Sequence, residues 1–137
     1  MEVPNAYWTP VCALAHRLRC QVRVRAGVDG TPLSAHWRRL LILPTAGYLE
    51  GPCGPVRIRD VDWVDLATER RSPALRATAG ETVSLRDAII ADLRQTRAIW
   101  KVHRSTWSID RIDHDRPIEV VRVINPFSER LLRGGLV

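Results

Sequence analysis

Lysine is nearly missing from this sequence: of 21 basic residues only Lys101 is not an arginine. That skew is what a GC-rich coding sequence produces, so the choice of arginine over lysine is not by itself a functional signal. It leaves the excess of base over acid, a net charge of +6, still to be explained. Aromatic residues are few, at 6%, yet five of the eight rings are tryptophans. Cysteine is also sparse. Cys12, Cys20 and Cys53 are odd in number and form no Cys-x-x-Cys pair, which excludes the usual short-spaced zinc site and a disulfide framework and suits a reducing compartment. No apolar run approaches the roughly 18 residues that a membrane-crossing helix needs. The opening "MEVPNAYWTP" lacks the basic-then-apolar layout of a secretion signal, so the expected location is the cytoplasm. There is no Gly-x-Ser-x-Gly elbow, internal repeat or low-complexity segment.

What is present has the proportions of a globular domain: 137 residues, 45% hydrophobic and 26% charged, enough for one core and too little to divide comfortably. Thr9-Pro10 reads as a helix opening, a capping hydroxyl followed by proline at the first helical position. Val11, Leu14, Ala15 and Leu18 then recur at helical spacing, which predicts a helix over 10–19. From Cys20 the period changes. Cys20, Val22, Val24 and Ala26 alternate with Gln21, Arg23 and Arg25, predicting a half-buried strand. Residues 35–43 predict a second strand closed by Pro44, and Tyr48–Glu50 a short edge strand. Val56 to Leu66 predicts a third strand whose alternation slips once, so that a bulge is expected near Asp60. Without the bulge, Trp63 and Val61 lie opposite Val64 and Leu66, and both faces need cover.

Residues 68–81 have no usable period and read as a loop. A second helix follows, capped by Thr82 or Ser84, with Leu85, Ala88, Ile89 and Leu93 as its buried stripe. Further strands are predicted at 99–103, 107–112 and 118–124, the first two joined by a turn at "RST". Together these describe one α+β domain over 1–126: an antiparallel sheet of about five to six strands with two helices packed against it. Residues 127–137 form a tail that Leu131 and Leu132 can dock.

Sites for chemistry are thin. Asp113-His114-Asp115 gathers three potential ligands, but adjacent side chains diverge and the triplet cannot close on one ion unaided. His103 with Arg104, read as a tight turn, is the least ordinary pair, since ribonuclease-type sites use His and Arg. "GPCGP" is glycine-rich, but its prolines remove amides that a phosphate cradle needs, and no Lys-Ser/Thr follows. Neither a catalytic residue, a metal nor a cofactor is therefore assigned.

Charge is distributed unevenly. Residues 1–59 hold eight bases and three acids, 60–97 six and seven, and 98–137 seven and five. The acid island centres on "RDVDWVDL", where Asp60, Asp62 and Asp65 surround Trp63, with Glu50 upstream. Acids at near-alternate strand positions repel by a few tenths of a kcal/mol per pair. They make sense as a docking strip around a tryptophan anchor, or as charges that Arg57, Arg59 or neighbouring strands neutralise. The competing surface is basic: Arg17, Arg19, Arg23, Arg25, Arg38 and Arg39, with Trp37 available for stacking on a nucleic acid.

The segments "SAHWRRLLILP" and "GYLEGPCGPVRIRDVDWVDL", an early Trp-bearing helix and one late helix resemble a group of small bacterial cytoplasmic domains. In these a "Y-x-E-G-P…GP" loop leads into a strand ending acid-Trp-hydrophobic-acid. They are similar to the immunity proteins encoded beside polymorphic or contact-dependent toxins, which bind a cognate toxin and block it. The likeness covers about residues 8–100. It implies stoichiometric protein binding without a cofactor, through Glu50, Asp60, Asp62, Trp63, Asp65 and Trp37. The alternatives are a nucleic-acid-binding accessory protein that uses the arginine face, and a small nuclease-like enzyme.

Overall fold

The computed structural model of the protein describes residues 2–26, 42–45, 48–51, 54–71, 82–105 and 118–129. It is an α+β fold with helices α1 (Glu2–Arg17) and α2 (Arg86–Leu93). Among the described residues nine strands accompany them: β1 (Val22–Ala26), β2 (Ile42–Thr45), β3 (Tyr48–Gly51), β4 (Gly54–Arg57), β5 (Val61–Ala67), β6 (Glu69–Arg71), β7 (Thr82–Ser84), β8 (Ile99–Ser105) and β9 (Ile118–Ile124). The main sheet has four strands in the order β1-β5-β9-β8, with every neighbour antiparallel. β2, β3 and β4 form a three-stranded sheet, and β6 pairs with β7. The expected α+β fold of antiparallel strands with two helices is present, and the strands among the described residues divide among three sheets.

The core follows from the periods. Trp8, Val11, Cys12 and Ala15 fall at helical spacing on α1, and all are buried. They share one cluster with Val22 and Val24 of β1, Val64 and Leu66 of β5, and Val121 and Val123 of β9. Because side chains alternate along a strand, those six valines and leucines define the inner face of the main sheet, the face α1 covers. Leu85, Ile89 and Leu93 bring α2 to the same cluster, and Leu49 and Ile58 join it from the smaller sheet and its exit. Each such side chain contributes roughly 1.5–3 kcal/mol by leaving water.

Several boundaries differ from expectation for identifiable reasons. α1 starts at Glu2 and runs through Thr9-Pro10. The Thr9 hydroxyl donates to the Asn5 carbonyl at 2.7 Å, a bond back along the helix instead of a cap. The helix ends in a Schellman arrangement: Cys20 N–H reaches the Ala15 carbonyl at 2.9 Å and Arg19 N–H the His16 carbonyl at 3.1 Å. Arg19 occupies the left-handed position usually given to glycine, at φ 51°.

The slip near Asp60 has two parts: the β1–β5 register shifts by one residue at Asp62, between the pairs Ala26–Val61 and Arg25–Trp63, as the expected bulge requires, and a break in the strand precedes it. A 3₁₀ turn, Ile58–Asp60, separates β4 from β5 and moves the chain from one sheet to another. Tyr48–Gly51 is the middle strand of its sheet, not an edge. Pro44 lies within β2, whereas residues 35–41 of the expected strand lie outside the described residues. Thr82 and Ser84 are in β7, so α2 begins without a side-chain cap, and Ala88 is exposed. His103 and Arg104 belong to β8, opposite Val120 and Glu119. Residues 107–112, 113–115 and 130–137 lie outside the described residues.

The start of the expected tail is packed. Asn125 and Ser128 are buried, and Phe127 sits edge-on to Tyr7 with ring centroids 5.6 Å apart. Asn125 is a knot: its amide donates to the carbonyls of Ile58 at 2.7 Å and Val61 at 2.6 Å. Its Oδ1 accepts from Trp8 Nε1 at 3.2 Å and Phe127 N–H at 3.1 Å. One buried amide thereby ties α1, the 3₁₀ turn, β5 and the turn after β9.

Candidate functional site

Strand parity sends the second set of side chains to the outer face of the main sheet, away from α1. Cross-strand pairing arranges them in rows. One row reads Arg25–Trp63–Ile124–Ile99, taking one residue from each of the four strands. The next reads Arg23–Asp65–Arg122–Lys101. A third pairs Ala67, Val120 and His103.

Asp65 is the centre of the second row. It has no exposed surface. Arg122 binds it through both Nε at 2.8 Å and Nη2 at 3.1 Å, and Arg23 Nη2 approaches its Oδ2 at 2.9 Å. Arg23 is itself buried, and that burial holds its guanidinium below the ordinary arginine range, opposed by the bond to Asp65. Trp63 lies across this triad from the adjacent row. Its ring centroid is 3.8 Å from Cζ of Arg122 and 5.6 Å from Cζ of Arg23. A planar guanidinium suits both a forked carboxylate bond and a stacked indole, so the arrangement buries charge that would otherwise be costly.

The other acids of the island also meet arginines. Asp60 accepts from Arg57 Nε at 3.0 Å. Asp62 lies 3.8 Å from Arg25 Nε and accepts from the Ser128 hydroxyl at 3.1 Å. Each of the three aspartates thus has an arginine partner within the protein. Trp63 is half-buried, belonging neither to the core nor to a free strip. Glu50 pairs through its backbone with Ile42 and Pro55, and Trp37 lies outside the described residues.

Among the described residues, the basic candidates fall in two places. Arg17 and Arg19 are at the end of α1, where Arg17 forms an ion pair with Asp92 of α2. Arg23 and Arg25 are on the sheet face that α1 does not cover. Arg38 and Arg39 lie outside the described residues. His103 and Arg104, being adjacent in a strand, point to opposite faces and cannot act on one group. His103 is held below the usual histidine range by partial burial and by the Arg122 cation. Glu119 is tied to Arg86 Nε at 2.6 Å. No cluster of three metal-binding side chains occurs among the described residues. Burial pushes the thiols of Cys12 and Cys20 up to about 12, so neither is an activated nucleophile.

Arg122 and Lys101 did not emerge from the sequence. A signal was there: Arg122 is the lone base in "IEVVRVI", and Asp65 is one of two acids in "VDWVDLA". Opposite charges inside two apolar strands point to a buried pair. No helix among the described residues is long and apolar enough to cross a membrane. No family model matches the chain, and neither a curated protein nor a solved structure shows significant similarity to it.

Proposed function

We propose that the chain is a stoichiometric protein-binding inhibitor of the toxin-neutralising kind, which presents the outer face of its main sheet to an acidic partner. The observation that carries this reading is the row Arg25–Trp63–Ile124–Ile99. Ile99 is 54% exposed at one end, Trp63 is half-buried at the centre, and Arg25 closes the row. An indole packed on the Arg122 guanidinium, with Arg23 nearby, loses less freedom on docking than a free ring, which favours it as an anchor. The adjacent row sets Arg23, Arg122 and Lys101 beside Asp65. Among the described residues these two rows are richer in base than in acid, which complements an acidic surface. The aspartates act here by orienting arginines.

The test compares tagged wild-type protein with Ile99→Glu, each captured from host extract in nuclease-treated and untreated halves. The expected result is one acidic protein, co-eluting at equal stoichiometry, that survives nuclease and is lost with Ile99→Glu. Nucleic acid recovered only from the untreated half, or a partner retained undiminished by Ile99→Glu, overturns the reading.

A further inference from the structure

The two outer strands of the main sheet end it in different ways. On β1, Val22, Arg23 and Val24 are all buried. On β8, Ile99, Lys101, Val102 and Arg104 are exposed, and Trp100 and His103 are half-buried. β8 is the last strand of the sheet among the described residues, so one side of its backbone has no strand beside it there. Parity tells which groups that side offers. The Asn125 N–H donates to the Asp62 carbonyl at 3.0 Å, so the odd-numbered residues of β9 turn their backbone groups to β5 and the even-numbered ones turn theirs to β8. The Tyr7 hydroxyl agrees, since it bridges the Ile124 carbonyl and the Ile99 N–H. With Ile99 opposite Ile124 and Lys101 opposite Arg122, the odd residues of β8 serve the ladder. Trp100, Val102 and Arg104 therefore aim their N–H and C=O groups away from it. Among the described residues no backbone bond joins these three to a further element.

We propose that the β8 edge takes an extended, acidic segment of a partner protein as an added antiparallel strand. An N–H and a C=O at every second residue is the pattern that strand addition uses. The side chains decide the occupant. β8 carries Lys101 and Arg104 and no acid. Within the sheet Lys101 faces Arg122, a like charge, and Glu119 opposite Arg104 is held by Arg86 at 2.6 Å. A segment with two acids three positions apart sets one opposite each base, and an apolar residue between them meets the exposed Val102. A second copy of the chain fits less well. Antiparallel pairing about Val102 would bring both Lys101 and both Arg104 side chains together without an acid. This site uses the edge of the strand, so it goes beyond the outer-face reading and stands without it.

The test titrates the full chain with the end-blocked peptide Thr-Glu-Thr-Val-Glu-Thr-Val and follows backbone amides by NMR. The expected result is saturable binding with a Kd on the order of 100 μM. At about ten times that concentration, hydrogen exchange at Trp100, Val102 and Arg104 slows about tenfold, in step with the unoccupied fraction, while Ile99, Lys101 and His103 change little. Val102→Pro removes an amide that the β9 ladder does not use, a change that an edge strand accepts, and it abolishes binding. The double variant Lys101→Glu/Arg104→Glu, at two exposed positions, raises the Kd about tenfold. A peptide with lysine for both glutamates binds that variant more tightly than it binds the wild type. Where Val102→Pro does not fold, this charge swap decides. Binding that fails to saturate, that does not distinguish the glutamate from the lysine peptide, that lacks the odd–even pattern of exchange, or that persists in folded Val102→Pro overturns the site. Self-association of the free chain that Val102→Pro abolishes gives the edge to a second copy and overturns the acidic segment. Loss of an extract partner with Ile99→Glu and loss of the peptide with Val102→Pro are separate outcomes, so either reading can fail alone.

Discussion

Asp65 and Asp62 stand three positions apart on one strand and carry the same group, yet their surroundings give them unequal weight. Asp65 is fully buried between Arg23 and Arg122, whereas Asp62 keeps 20% of its side chain exposed and lies 3.8 Å from an Arg25 that is 42% exposed. Removing one partner of a buried ion pair leaves a desolvated charge behind, at a cost of roughly 3–5 kcal/mol. An exposed pair contributes about 0–1 kcal/mol. Asp65→Asn is therefore expected to lose about 3 kcal/mol or more, and Asp62→Asn about 1 kcal/mol or less. Urea denaturation followed by tryptophan fluorescence measures both. Equal costs for the two variants would mean that the triad under Trp63 contributes no more than a surface pair.

Among the elements, α1 and the β8–β9 pair are joined at one atom. The Tyr7 hydroxyl donates to the Ile124 carbonyl at 2.6 Å and accepts from the Ile99 N–H at 2.9 Å. It bridges the two residues that face each other at the end of the ladder, and burial raises its pKa. Tyr7→Phe keeps the ring packing and deletes the bridge, leaving one donor and one acceptor to find other partners, at about 1–3 kcal/mol. Hydrogen exchange at Ile99 is expected to quicken in that variant more than at Val121, in mid-ladder. Unchanged exchange at Ile99 would remove the hydroxyl from any structural role.

This contact also marks the limit of what the sequence displayed. Alternation in "CQVRVRA" and "IEVVRVI" located β1 and β9, because a period of two is a local property of a strand with one apolar face. The beginning of α1 was hidden, since Thr9-Pro10 has the chemistry of a helix start and is carried in mid-helix by Trp8 and Val11 packing on either side. The division of Val56–Leu66 into two sheets showed only as a lapse in parity. The stack of Trp63 on Arg122 joins residues brought together solely by the register of β5 on β9. For the same reason the sequence left open whether the acids form a docking strip or are neutralised: the arginines that hold Asp65 lie on β1 and β9, far along the chain.

For the whole molecule, that register decides where stability concentrates. β5 and β9 are the two central strands, each paired on both sides, and they meet across a long interval: Trp63 faces Ile124. Their inner residues Val64, Leu66, Val121 and Val123 are buried under α1 and α2. Among the described residues β1 and β8 each have one strand neighbour in this sheet, and the β6–β7 pair is three residues long on each side. Closing so long an interval is unfavourable until the valine and leucine layer forms, so β5 and β9 gain their protection together, with the core. Amides at the ends of short or singly paired strands open without the core doing so. Native-state hydrogen exchange is thus expected to be slowest in β5 and β9, at the free energy of global unfolding, on the order of 5–15 kcal/mol for a domain, and to steepen with denaturant there. Exchange in β6–β7 is expected to be faster and nearly independent of denaturant. Protection in β6–β7 equal to that in β5 and β9 would show that the small hairpin unfolds only with the core, and that the central strands are not where stability is held.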